Sequence, residues 1–206
     1  MRKNFQPIID YVEGRMPAEK FHDLFITNRS LKKLLKIRLS IKYGFLANYH
    51  YNLFEYLSNE WGFKNKPWDC ISMRSILQEI LCCILDDFEV EYVKYPEYEE
   101  EYTFLLNIQP DWLDVLDDSI LQPIIDSIPK DLSKTQRIKL GKEKVRALFK
   151  YDKTYPRWVQ SPEWPIANGK PLVFSHQERA KGGDIRTYYY FYDEDTREET
   201  VVEQFE

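Results

Sequence analysis

The chain has 206 residues, 43% hydrophobic and 16% aromatic, with 29 Lys and Arg against 34 Asp and Glu. That composition can bury a core for one compact domain, or a larger domain with a small appendage, but no stretch approaches the roughly 20 apolar residues that span a bilayer. The formal charge of −5 is unevenly spread: residues 86–126 carry 13 acidic side chains and a lone cation, Lys94, between two slightly basic flanks, a pattern that repels phosphate and attracts cationic protein surfaces.

In chain order, residues 7–12 read as an opening helix that stops near Gly14. Pro17 can start a second at its first position, with Phe21, Leu24 and Phe25 as its apolar stripe. Asn28 or Ser30 can cap a short basic helix carrying Leu31, Leu34 and Leu35. Residues 45–61 repeat the pattern with Leu46, Tyr49, Leu53, Tyr56 and Leu57. The clearest helix follows Asp69, a good N-cap, where Met73, Ile76, Leu77, Ile80, Leu81 and Ile84 form a broad stripe. Alternation over residues 89–95 suggests a short strand. Pro96 then opens a helix with Tyr98, Tyr102, Leu105 and Leu106, and Asp117 and Asp118 can cap another over residues 120–125. A last helix, rich in Lys and Arg, fits residues 133–151, with Gly141 weakening its middle.

Past Tyr151 the texture changes. Pro156, Pro162, Pro165 and Pro171 disfavour helix, and three strand-like runs follow at residues 171–177, 186–193 and 199–205. Gly182-Gly183 and residues 193–197 supply the turns of an antiparallel meander. Tyr188, Tyr190 and Tyr192 alternate with Thr187, Tyr189 and Phe191, so the middle run is expected to be central and covered on both faces. The expected fold is α+β, with a mainly helical body over residues 1–152 and a Trp- and Pro-rich segment and small sheet over residues 153–206.

Catalytic signals are weak. His22, His50 and His176 are far apart with no ligand spacing, so no metal is expected. No nucleophile elbow or phosphate loop is present, and the chain has only 7 Gly. Cys82 and Cys83 flank an apolar stripe, where a thiolate is disfavoured. The three cysteines make no disulfide framework, and the opening residues lack the apolar run of a signal peptide. The expectation is a cytosolic, non-catalytic protein without a cofactor, with an enzyme whose site carries no recognisable motif as an alternative.

The candidate partner-binding face comprises Asp86, Asp87, Glu89, Glu91, Tyr92, Tyr95, Glu97, Tyr98, Glu99, Glu100 and Glu101. Interleaved carboxylates and Tyr rings suit a basic protein, steering it at long range and anchoring it at contact. Solvation of the acids, or their pairing with the basic helix, is the plainer reading of the same charges. Opposite in sense is a nucleic-acid reading, in which residues 134–150 track phosphates while Trp158 and Trp164 stack bases.

Trp158-Val-Gln-Ser-Pro-Glu-Trp-Pro-Ile followed by Asn168-Gly-Lys-Pro-Leu-Val-Phe-Ser-His-Gln resembles the tail of bacterial immunity-type proteins from polymorphic-toxin and contact-dependent inhibition systems. Tyr190-Phe-Tyr-Asp, Glu199-Thr-Val-Val and Gln204 fit the same closing strands, and the Trp-Pro to Pro-Leu-x-Phe element is also similar to the YwqG-like family. The match covers about 50 residues of the tail and does not include the acidic segment. It implies a cytosolic protein that blocks a cognate toxin by stoichiometric binding, and it brings no catalytic residues; the acidic segment is what makes a basic toxin, such as a nuclease, the expected partner. The physical role expected for the motif is packing: Trp158 and Trp164 lie across the meander while Gln160 and Gln177 satisfy backbone groups at its edge.

Overall fold

The computed structural model describes residues 2–36, 52–59, 70–114, 118–181 and 185–205. Eight α-helices and five strands are present among them, an α+β fold. The chain forms two compact units, Met1–Tyr102 and Thr103–Glu206. The change from helix to strand near residue 152 is therefore not where the compact units divide. Residues 103–152 belong with the sheet because Trp112 and Phe149 share their ring contacts with Trp164, at 5.5 Å in each case.

The first unit holds α1 (Arg2–Val12), α2 (Ala18–Thr27), α3 (Arg29–Leu35), α4 (Leu53–Asn59), α5 (Ile71–Asp87) and the start of α6 (Glu97–Ile108). Helix α1 begins upstream of the expected Pro7, which it contains as its sixth of eleven residues; the ring removes the N–H that would donate to the Lys3 carbonyl. Pro17 stands just before α2 rather than inside it. Asn28, not Ser30, caps α3 by accepting from the Leu31 amide at 3.0 Å. The expected helix over residues 45–61 is represented by α4; its flanks and the expected cap Asp69 lie outside the described residues. Helix α5 starts after Cys70, whose side chain makes no capping bond. Leu77, Ile80, Leu81 and Ile84 of α5 are buried together with Phe5, Ile8, Ile9 and Val12 of α1 and Phe21 and Phe25 of α2. Removing that much apolar surface from water is the main stabilising term of the unit.

The second unit holds the rest of α6, a 3-10 turn (Asp118–Leu121) running into α7 (Gln122–Asp126), α8 (Lys134–Leu148) and all strands. Asp118 is buried at the start of the turn, the N-cap of α7 is Leu121, which makes no side-chain capping bond, and Asp117 lies outside the described residues. Ser133 and Gln136 close a capping box at the start of α8. Gly141 serves a close approach: a Cβ there would come within 2.5 Å of the Ile108 side chain. Leu106, expected on the apolar stripe of α6, is instead 58% exposed.

Strands β3 (Val173–Arg179), β4 (Arg186–Tyr192) and β5 (Glu199–Phe205) form the antiparallel meander, with β4 in the centre. A smaller hairpin, β1 (Ile166–Ala167) and β2 (Lys170–Pro171), precedes it. Only one face of β4 is fully buried, that of Thr187, Tyr189 and Phe191. On the other face Tyr188, Tyr190 and Tyr192 are half-buried. His176 stacks on Tyr190 at 4.4 Å, and the guanidiniums of Arg186 and Arg197 lie over Tyr188 and Tyr192. These three side chains shield the rings.

The tail motif packs as expected. Trp158 lies against Tyr189, with ring centroids 4.5 Å apart, and Trp164 meets Phe191 at 5.4 Å while donating its Nε1–H to the Leu172 carbonyl at 2.8 Å. Gln177 accepts from the Arg157 amide at 2.7 Å. The second backbone-satisfying glutamine is Gln204, not Gln160: its Oε1 accepts from the Gln160 amide at 3.1 Å and its Nε2 donates to Ser161 at 2.7 Å. Gln204 is fully buried, where an amide needs such partners.

Candidate functional site

The acidic face belongs to the first unit and is built on the end of α5. Glu89 donates its amide to Asp86 O at 3.1 Å and Val90 donates to Leu85 O at 2.8 Å. These two bonds close a Schellman-type end, with Glu89 in the left-handed position at φ 52. The chain then runs extended to Tyr95 without forming the expected strand. Its hydrogen bonds go elsewhere: the Val93 amide donates to Glu13 Oε1 at 3.1 Å and the Tyr95 amide to Val12 O at 2.9 Å. Gln78, wholly buried, donates its side-chain amide to both the Val12 and Tyr95 carbonyls, at 2.7 and 2.9 Å. Gly14, at φ +72, lies under the Tyr95 ring, where a Cβ would come within 2.5 Å of Cγ. The acidic segment is thus fixed to the end of α1 by Gln78, Glu13 and Gly14.

Of the eight candidate acids, Asp86, Glu89, Glu91, Glu97, Glu99 and Glu100 are exposed, and Asp87 and Glu101 are half-buried. Glu101 is paired with Arg74 at 2.9 Å. Lys94 bridges Glu79 and Glu99, the latter at 2.8 Å. Burial alone would lower the Lys94 pKa, but its hydrogen bonds to the two carboxylates outweigh that and raise it; Glu99 is held below its ordinary value by the same hydrogen bond. Among the described residues no ion pair engages Glu89, Glu91 or Glu100.

The tyrosines divide between anchoring and presentation. Tyr98 is half-buried against Tyr11 and Tyr95, at 5.8 and 5.2 Å. Tyr92 donates its hydroxyl to Asp86 at 3.0 Å. Burial, then hydrogen bonding with Cys82 and Asp86, raises the Tyr92 pKa, and a hydrogen bond to Glu97 raises that of Tyr95 to about 12. Both phenols therefore remain donors at neutral pH. An open pocket of about 650 Å³ is lined by Asp86, Glu89, Val90, Glu91, Tyr92 and Lys94, and Val93 beside it is 77% exposed. Sequence reasoning missed Glu13 and Gly14, in the turn after α1, and Arg74, Gln78 and Glu79, farther back on α5, which position or neutralise the face. The only sequence cue was the turn glycine after α1.

A second concavity, of about 570 Å³, lies within the second unit, between the loop after α6, the α8 side chains Lys142 and Arg146, and residues 155–162. The Trp158 that was expected to stack bases is half-buried there, its Nε1–H donating to Trp112 O at 2.8 Å. Trp164, expected beside it, is buried at 6% exposure and is not available to a ligand. Among the described residues no group of three or more His, Cys, Asp or Glu side chains converges as metal ligands would, and no helix is long and apolar enough to cross a membrane.

No protein-family model matches the chain, and neither does any curated protein or solved structure.

Proposed function

We propose that this chain is a non-catalytic binding protein that holds a cationic partner protein against the acidic face, as an immunity protein neutralises a basic toxin such as a nuclease. One observation carries the reading. Between Asp86 and Glu101 the exposed carboxylates Glu89, Glu91 and Glu100 have no described cation, while the segment's single lysine is taken by Glu79 and Glu99. Local helix stabilisation does not account for this. Glu97, Glu99 and Glu100 sit in the first turn of α6, where each is worth only about 0.3–1 kcal/mol, and Glu89 and Glu91 lie outside any helix. Concentrated negative charge raises the encounter rate of a cationic partner, and the half-buried tyrosines add contact area around it.

The resemblance of the tail to immunity-type proteins supports the toxin-neutralising form of the reading. Three cysteines outside any disulfide, two of them buried, fit a reducing cytosol as the setting. The test is capture of the partner from the native host at low salt, followed by binding measurements on a folded triple variant, Glu89→Lys with Glu91→Lys and Glu100→Lys. Association should weaken at least tenfold and its salt dependence should flatten. Unchanged affinity in a variant with native circular dichroism overturns the proposal.

A further inference from the structure

The 570 Å³ pocket of the second unit has a chemistry opposite to that of the acidic face. Lys142 and Arg146 stand four residues apart on α8, so their side chains share one face of the helix. Arg157 joins them from the loop, where its backbone is fixed on both sides: the amide donates to Gln177 Oε1 at 2.7 Å and the carbonyl accepts from the Tyr189 hydroxyl at 3.0 Å. Asp111 is the one carboxylate lining the pocket among the described residues. No described ion pair engages Lys142, Arg146 or Arg157. The aromatic part of the lining is Trp112, Tyr155 and Trp158. Tyr155 stacks on Trp112, with ring centroids 5.7 Å apart and planes within 14°, yet remains 46% exposed.

We infer that this pocket binds a nucleotide, with its phosphate held by Lys142, Arg146 and Arg157 and its base against the Tyr155–Trp112 stack. Three cations facing one carboxylate favour a multiply charged anion over a single carboxylate, and guanidiniums match phosphate oxygens in pairs. The adjoining rings favour a planar group joined to that anion, since every base has a face that stacks on aromatic side chains. The volume lies within the roughly 300–1,000 Å³ of small-molecule sites. An acidic peptide satisfies the charges but leaves the stacked rings without a planar partner. The same chemistry arrives either as a free nucleotide or as the phosphorylated end of a single strand.

The test uses the full chain at low salt, followed by calorimetry and tryptophan fluorescence. The probes are ADP, adenosine, inorganic phosphate, a 5′-phosphorylated single-stranded hexanucleotide and a Glu-rich peptide containing Phe. ADP or the hexanucleotide should saturate one site at least tenfold more tightly than adenosine or phosphate alone. Tighter binding of the hexanucleotide assigns the site to a strand end, and tighter binding of ADP to a free nucleotide; either upholds the inference. Arg146→Glu should weaken binding at least tenfold and Tyr155→Ala several-fold. Both side chains are exposed, so the variants should keep native circular dichroism, and Arg157→Met provides a third if either does not fold. Absence of saturable binding by both nucleotide probes overturns the inference. So does equal binding by folded Arg146→Glu, or saturation by the peptide alone.

Discussion

Val90 donates its amide to the Leu85 carbonyl at 2.8 Å across the end of α5, and this bond places Glu89 at φ 52. That position of a helix end ordinarily takes Gly or Asn, because a Cβ in the left-handed region costs about 1–2 kcal/mol. A strained glutamate in the middle of the candidate face is what a binding requirement set against stability would leave.

Glu89→Gly should therefore stabilise the chain by about 0.5–1 kcal/mol, the relief of strain being partly offset by the greater freedom of glycine when unfolded. It should also weaken partner association by removing one open carboxylate. Thermal denaturation reads the first effect and binding kinetics the second. A glycine variant less stable than the parent would mean that the Glu89 side chain contributes to the fold.

Trp164 holds the second unit's core together through its ring contacts with Trp112, Phe149, Phe174 and Phe191 and its bond to Leu172. Trp164→Ala should cost about 3–5 kcal/mol in denaturant unfolding. Trp164→Phe keeps much of the packing but leaves the Leu172 carbonyl without its donor, for about 1–3 kcal/mol. If Trp164→Ala melts like the parent, the tail motif is a surface rather than a core.

Cys82 is buried on α5, and that burial, opposed in part by hydrogen bonding with Tyr92, pushes its thiol from 9.0 up to about 11. The neutral thiol is thus the folded form at neutral pH, so alkylation by iodoacetamide at pH 8 should be slow until the protein unfolds. The linkage has a definite sign. A thiol whose pKa is raised on folding contributes stability that is complete below its unfolded value and is lost as pH rises from about 9 to about 11. Cys82→Ala should lose part of that alkaline sensitivity in melts across this window. Rapid labelling of native Cys82 at pH 8 would contradict the assignment.

The elements legible in the sequence are those whose signal is local. The stripe from Leu77 to Ile84 specifies α5, and the alternation from Arg186 to Tyr192 specifies β4, because burial repeats at the period of the element itself. The same alternation over residues 89–95 misled, since the partners of that backbone are Val12 and Glu13, about 80 residues away in sequence. Gln204 rather than Gln160 became the buried amide because the register of β5 on β4 sets Gln204 opposite Thr187 on the buried face. The acids of the candidate face were countable from composition, but Gln78 and Gly14, which hold the segment, become recognisable only once α1 and α5 are packed. The cationic pocket draws on three separated segments, and only folding brings Arg146, Trp112 and Arg157 to one place.

Lys94 gives the sharpest separation between structural and binding roles for the acidic face. Its bridges to Glu79 and Glu99 lie at the surface, where such pairs are worth about 0–1 kcal/mol, so Lys94→Met should barely move the melting temperature at neutral pH. The hydrogen bond from Lys94 depresses the Glu99 carboxyl, so its small contribution is present above the ordinary 4.5 and is lost as pH falls below it. The Lys94→Met chain should lose that increment of acid sensitivity. Removing the cation also makes the segment from Asp86 to Glu101 wholly acidic. If that segment steers a cationic partner, the variant's association rate should rise about two- to fivefold at low salt and converge on the parent's at high salt. A rate that falls would make Lys94 a contact residue of the interface, and an unchanged rate would place the docking surface away from the acidic face.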